Sequence, residues 1–157
     1  MTAADLPMVD RLARAVHPAF PEAPGVAAER LALYSSGCFV LPDADSIAGY
    51  AISHPWHFGQ PPALDSLLRE LPRSPDSYYI HDLALLPAAR GTGASGALVQ
   101  RLLRQAMEQG LSNLSLVAVN GSVGFWQRHG FTAVQDAAMG PKLQSYGNDA
   151  CFMVRRI

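Results

Sequence analysis

The sequence predicts an α+β fold around one mixed sheet, and three observations carry that expectation. A hairpin pattern spans residues 38–41 and 47–53 around the turn Pro42-Asp43-Ala44-Asp45. It is followed by a β-loop-α-β-α-β order from residue 78 to residue 134, and strand pairs mixed with βαβ units point to this class. The chain has 157 residues, 49% hydrophobic and 16% charged. That is one domain's worth of core, able to bury roughly 70% of the surface of the unfolded chain.

Leu6, Val9, Leu12, Ala13 and Val16 recur at helical spacing, with Asp5 as N-cap and Pro18 beyond the end. A second short helix fits residues 26–34, stopped near Gly37. The hairpin comes next, and residues 54–62 read as a loop carrying three prolines. Leu64, Leu67, Leu68 and Leu71 predict a helix over 63–71, stopped by Pro72. Residues 78–86 form a strand without a polar residue after Asp82, which implies burial on both faces. A glycine-rich turn then opens a helix that runs to about residue 109, with Leu98, Leu102, Leu103 and Ala106 on one face and Gly110 at its end. Residues 114–119 are another buried strand. Asn120-Gly-Ser starts a short helix holding Phe125 and Trp126. Residues 131–134 and 150–154 are strands, separated by an irregular stretch over 136–148. Nothing divides the chain, so residues 1–157 are expected to be a single domain.

Composition narrows the function. Twelve basic and thirteen acidic residues give a net charge of −1, against a nucleic-acid binder that works by charge. The bias of the basic set to Arg, with Lys142 the lone lysine, carries no chemistry. Neither a membrane-spanning run nor the pattern of a signal peptide is visible, so a cytoplasmic, non-membrane protein is expected. Cys38 and Cys151 lie far apart in apolar runs and read as reduced, buried thiols.

The sharpest feature is Pro87-Ala-Ala-Arg90-Gly91-Thr92-Gly93-Ala94-Ser95-Gly96. A strand that enters a helix through glycines exposes several backbone N–H groups, and the helix start adds about half a positive charge. A Cβ would hold a phosphate off those amides, and Arg90 can neutralise or guide the anion. The pattern implies a phosphate-bearing ligand, weighed against a connection with no ligand. A nucleotide P-loop is excluded because no Gly-Lys-Ser/Thr is present. The turn matches G-x-G-x-x-G, so a dinucleotide (NAD-type) site is an alternative. Against it, the next strand ends in Asn120 where an acid is wanted, and four residues separate the first strand from the glycines.

The stretch Leu83-Ala84-Leu85-Leu86-Pro87 through Arg90 and Gly91 to Leu98 resembles the pyrophosphate loop of the GNAT superfamily of acetyl-CoA-dependent N-acetyltransferases. Asn120-Gly-Ser122-Val-Gly-Phe125-Trp126, leading to Gly130-Phe131, is similar to that family's downstream Asn…Phe-Tyr…Gly-Phe segment, about thirty residues on. The resemblance is specific over residues 78–134. It implies a mostly antiparallel mixed sheet, flanked by helices, in which two central parallel strands splay apart to admit the pantetheine arm. Two departures stand out. The family usually begins with a strand, for which the first residues leave little room, so the sheet edge is short or missing and a homodimer would be one way to cover it. Trp126 stands where many relatives carry the tyrosine that protonates the leaving thiolate, and an indole N–H is a very poor acid.

The resemblance implies a site. Backbone groups of Leu83, Ala84, Leu85 and Leu86 would hold the pantetheine. The turn Arg90, Gly91, Thr92, Gly93, Ala94, Ser95, Gly96 and Ala97 would hold the pyrophosphate. Asn120, Ser122 and Phe125 would form the other wall. The acceptor amine needs a base, and the candidates are His81 and Asp82. Strand alternation sends them to opposite faces, so at most one should serve: Asp82 is favoured by register, His81 by its intrinsic pKa. Otherwise both are structural groups. Tyr146 is the substitute acid, or else a packed turn residue. His54, Trp56 and His57 read as an acceptor-pocket wall, or as a packed loop. A metal site from His54, His57 and His81 is a weak alternative because ligand spacing is lacking. The implied activity is acetyl transfer from acetyl-CoA to a primary amine of a small molecule or peptide. The alternatives are a catalytically weak acyl-CoA-binding module and a nicotinamide-binding protein.

Overall fold

In the computed structural model, which describes residues 1–136 and 138–157, six strands form one sheet. They are β1 (Cys38–Asp43), β2 (Ser46–Trp56), β3 (Ser77–Leu85), β4 (Asn113–Ala118), β5 (Thr132–Ala133) and β6 (Cys151–Arg156), in the spatial order β1-β2-β3-β4-β6-β5. β3 and β4 run parallel, and the other neighbours run antiparallel. The helices are α1 (Leu6–Val16), α2 (Pro24–Leu33), α3 (Ala94–Glu108), α4 (Val123–Arg128) and α5 (Met139–Leu143).

The long helices form where the apolar spacing predicts. α1 buries Val9 and Leu12 on the sheet, with Pro7 pre-set for its first turn. The Asp5 carboxylate turns away from that turn and accepts from Thr2 N–H (2.6 Å) and Oγ1–H (3.0 Å). α3 buries Val99, Leu102, Leu103 and Ala106, each large side chain contributing about 1.5–3 kcal/mol, while Leu98 is only partly covered. The sheet thus separates a core under α3 and α4 from one under α1 and α2, with a smaller cluster around Met139 and Phe152. Among the described residues no strand precedes α1. β1 is the sheet edge, and the Met1 ammonium donates to the Cys38 carbonyl at 3.1 Å. The Cys38 thiol is buried, and burial pushes its pKa up to about 11; Cys151 is only half-buried.

Three local expectations are corrected. Residues 63–71 form no helix. The Glu29 carboxylate takes the N–H groups of Leu68 (2.7 Å) and Arg69 (3.0 Å), Glu22 takes that of Asp65 (3.0 Å), and Ser145 Oγ takes that of Leu64 (3.0 Å). Asp65 and Arg69 have φ of 56° and 69°. A short helix has a costly nucleus, and these tertiary acceptors outcompete it. β2 runs on to Trp56, so His54, Pro55 and Trp56 are strand and not loop, paired with Tyr79, Tyr78 and Ser77. The stretch expected to be irregular contains α5 and a following 3₁₀ turn, Gln144–Tyr146.

Candidate functional site

β3 and β4 pair over only three positions, Tyr78↔Leu114, Tyr79↔Ser115 and Ile80↔Leu116. Beyond Ile80 the two strands part, although β3 continues to Leu85 and β4 to Ala118. This explains why Leu83 and Leu85 are half-buried, against the expectation of burial on both faces. The Leu86 N–H donates to the Ala48 carbonyl on β2 at 2.8 Å. Alternation along β3 therefore sends the backbone groups of Ala84 and Leu86 to β2 and those of Leu83 and Leu85 into the gap. Of the four residues expected to offer backbone to a threaded ligand, two are so directed; Ala84 packs its side chain with Tyr50 and Ile52.

At the point where the gap opens the register shifts. Ser53 pairs with Ile80 and Ile52 with Asp82, leaving His81 unpaired in a β-bulge. The bulge cancels one alternation, so His81 and Asp82 lie on the same face, under α1 and α2. This corrects the expectation that they diverge. Each meets a partner from the α1–α2 corner. His81 Nε2 is 3.0 Å from Glu22 Oε2. Asp82 Oδ1 is 3.1 Å from His17 Nε2 and its Oδ2 accepts from the Tyr50 hydroxyl. His17 Nδ1 in turn lies 3.3 Å from Asn120 Nδ2.

The environment decides the charges. Burial pushes Asp82 up, but the His17 imidazole beside it, with the Tyr50 hydroxyl, outweighs it and holds the carboxyl below its ordinary 3.8. Burial likewise pushes His17 down, and the Asp82 carboxylate 3.1 Å away overcomes it, so His17 ends above 6.5. For Glu22 burial is again outweighed, by the bond and charge of His81, and the carboxyl is held low. A raised imidazole contributes stability that is full below about pH 6.5 and lost as pH rises through its folded pKa. A depressed carboxyl contributes above its unfolded pKa and loses that as pH falls. The Asp82–His17 pair therefore stabilises between the two folded pKa values. Above the His17 value, the thermal midpoint of wild type should fall relative to that of His17→Gln. The expected change is about 1 kcal/mol, or ~2–4 °C, read by calorimetry between pH 5 and 9.

The glycine turn has the conformation its composition implies. Gly91 and Gly93 have φ of 76° and 87°, and a Cβ built on either meets no heavy atom within 4 Å. Gly93 caps α3, so the first-turn N–H groups lack helical partners; that of Ala94 donates to the Thr92 hydroxyl at 3.4 Å. Arg90 folds back and donates Nε–H to the Leu85 carbonyl at 3.2 Å, leaving the rest of its guanidinium beside the turn. Free amides, no Cβ and an adjacent cation fit a diphosphate.

Gap, turn and α1–α2 corner form one cavity of about 1280 Å³, larger than the ~300–1,000 Å³ of a usual ligand site and able to hold two substrates side by side. Leu83, Leu85, Arg90, Gly91, Ser95, Asn120, Ser122 and Phe125 line it, as do His81, Asp82, Tyr146 and Trp126. Thr92, Gly93, Ala94, Gly96 and Ala97 shape the turn without lining the wall; the Thr92 hydroxyl donates to the Ala89 carbonyl at 2.8 Å. His54, Trp56 and His57, expected as acceptor-wall residues, do not line this cavity. Their end of β2 runs beside the start of β3, the opposite end from the gap. His54 is 1% exposed, and burial pushes its pKa down to about 3. The Trp56 indole N–H donates to Gln60 at 2.7 Å. Tyr146 is buried with its hydroxyl donating to the Pro62 carbonyl at 2.8 Å, and burial pushes its pKa up to about 12. Its proton is engaged.

His17, Glu22 and Tyr50 join the site although the sequence does not single them out. His17 follows the last helical turn and Glu22 precedes Pro24, two polar residues in a short connection, which is the only local signal they carry. Tyr50 sits in an apolar strand and reads as core.

No curated protein matches the chain by sequence. Solved structures share its fold at low identity. A GNAT-like decarboxylase, GphF, in complex with isobutyryl-CoA has a TM-score of 0.82 at 16% identity, over 99% of this chain and 96% of that one. Ard1 from Thermoplasma volcanium has 0.73 at 16%, over 100% and 94%. Arabidopsis thaliana Naa50 in complex with a bisubstrate analogue, CoA-Ac-MVNAL, has 0.69 at 14%, over 100% and 95%. The model of the acetyltransferase (GNAT) family matches residues 7–131, and with the parted strands and glycine turn in that span, the chain belongs to the GNAT family of acetyltransferases.

Proposed function

We propose that the protein is an N-acetyltransferase, a single domain over residues 1–157, that moves an acetyl group from acetyl-CoA to a primary amine of a small molecule or peptide. The observation that carries this reading is the cavity in which a glycine-rich turn at a helix start, an unpaired strand edge and two acid–imidazole pairs are continuous. Acetyl-CoA supplies an acyl group activated as a thioester. The amides opened by Gly91 and Gly93, with Arg90, bind its diphosphate. The backbone groups of Leu83 and the Leu85 N–H hold the arm as an added strand would, and Asn120, Ser122 and Phe125 form the facing wall. His81, with its Nε2–H directed to Glu22, accepts the proton that the amine must lose. Asp82 holds His17 and Tyr50 and so is not free to be that base. A small-molecule or peptide acceptor is consistent with relatives whose structures contain a bisubstrate peptide analogue or an acyl-CoA. Two unpaired thiols suit a reducing compartment such as the cytoplasm, and the exposed edge of β1 suits a homodimer.

A second reading, an acyl-CoA-binding module without turnover, draws support from Trp126, buried against Phe125 and Phe131. Thiol release from acetyl-CoA, measured over a panel of small amines and N-terminal peptides, separates the two. Release that depends on one amine class, with the acetylated amine found by mass spectrometry, is the expected result. Tight CoA binding with no release on any amine supports the module.

A further inference from the structure

If the cavity takes an acyl-CoA, the reading on which the proposal for His17 rests, the departing sulfur needs a proton donor. The Trp126 indole is a negligible acid, and the Tyr146 hydroxyl is committed to Pro62. A different imidazole lies in the gap itself. His17, at the C-terminus of α1, reaches from Asp82 on β3 (3.1 Å) to Asn120, two residues beyond β4 (3.3 Å). Its ring spans the two strands just beyond their last pair, Ile80↔Leu116. A chain threaded between the strands must pass against this ring. We propose that His17 is the proton donor to the thiolate that departs in acyl transfer, and that Asp82 with Tyr50 is the positioning pair that holds the ring across the gap.

The proton balance is simple. As the carbon–sulfur bond breaks, its electron pair stays on sulfur. His17, its Nε2 held beside Asp82, gives up the Nδ1–H proton to that sulfur and keeps the bonding electrons as a neutral imidazole. His17 is one-fifth exposed and regains a proton from solvent, while the proton lost by the amine leaves through the Glu22–His81 pair. The sum is thioester plus amine giving amide plus thiol.

Every charge near the ring bears on whether it starts protonated. Burial disfavours the imidazolium; the Asp82 carboxylate, 3.1 Å from Nε2, favours it, and the Leu83 carbonyl adds to this. Arg90 opposes it. Tyr50 and His81 act on it through Asp82, which both hold as the anion. The balance keeps the ring protonated above its ordinary range. Asn120 can turn its amide oxygen to a doubly protonated ring.

The test compares CoA with desulfo-CoA, identical but for the sulfur, on the full chain. Calorimetry between pH 6 and 9 gives the affinities, and amine turnover is followed in parallel. With His17 against the sulfur, wild type binds CoA about tenfold more tightly than desulfo-CoA at neutral pH. His17→Gln erases that preference, leaves the desulfo-CoA affinity within about twofold, and lowers kcat about a hundredfold or more. Asp82→Asn, a second variant that keeps the imidazole, moves the alkaline limb of the kcat profile to lower pH, which a merely structural role would not do. The proposal is overturned if His17→Gln keeps the preference for CoA, or weakens both ligands equally with kcat unchanged. An unmoved alkaline limb in Asp82→Asn overturns the positioning role. Should neither ligand bind wild type, the acyl-CoA reading itself falls and the proposal with it; binding of both with no preference in wild type removes the proposal alone.

Discussion

Gly93→Val is expected to bind CoA about a hundredfold more weakly than wild type, while Gly110→Val binds it normally. The two glycines bracket α3 and make a matched pair. Gly93 has φ 87° before the helix and Gly110 has φ 70° after it, and a Cβ on either meets nothing within 4 Å. Valine at either site imposes the same backbone strain, about 1–2 kcal/mol, and a thermal midpoint lower by roughly 2–8 °C. Only at position 93 does the new side chain cover the first-turn amides. Each charge-assisted hydrogen bond lost there is worth about 1.5–3 kcal/mol, and two such losses exceed a factor of one hundred. Calorimetric titration with CoA beside a melting curve checks both parts. Equal affinities in the two variants would remove the turn as the diphosphate site.

The second large effect is expected at the bulge. His81→Ala should lower kcat about a hundredfold to a thousandfold with the CoA affinity unchanged, the range for loss of a positioned base. Glu22→Gln should cost less, about tenfold, because it removes the anion that orients the ring and keeps the ring itself. The two act as a unit, so the double variant should be no slower than His81→Ala alone. Glu22 is held below its ordinary 4.5 chiefly by His81, against the pull of burial. Its contribution to stability is therefore present above about pH 4.5 and lost as pH falls through its folded value. Tyr146→Phe should leave kcat within about threefold, since its hydroxyl serves Pro62. If His81→Ala retains full kcat, the base lies elsewhere.

Much of the fold is legible in the residues alone. The spacing of Val9 and Leu12, or of Leu102, Leu103 and Ala106, is set by the helical repeat and survives any tertiary context. The apolar run of β3 and the glycines that follow it state a strand-to-helix turn with exposed amides. The helix expected over 63–71 fails for a physical reason. Its leucines have the right period, but Glu22 and Glu29, some forty positions away, hold its N–H groups. His54, Trp56 and His57, expected in an acceptor wall, lie off the cavity because His54, Pro55 and Trp56, taken as loop, continue β2 to the first residue of β3.

Element order, the mixed sheet and the glycine-rich turn are written in the sequence itself, since each rests on periodicity or backbone conformation, which are properties of neighbours in the chain. The composition of the proposed reactive centre comes from tertiary contacts alone. One unpaired residue, His81, brings two side chains expected on opposite faces to the same face, and the α1–α2 corner supplies His17 and Glu22 to meet them. A bulge is a mismatch between two strands, and an acid–imidazole pair across some sixty positions is a meeting of distant segments. Neither has a local signature, because the energy that specifies each belongs to a contact between parts of the chain that only folding brings together.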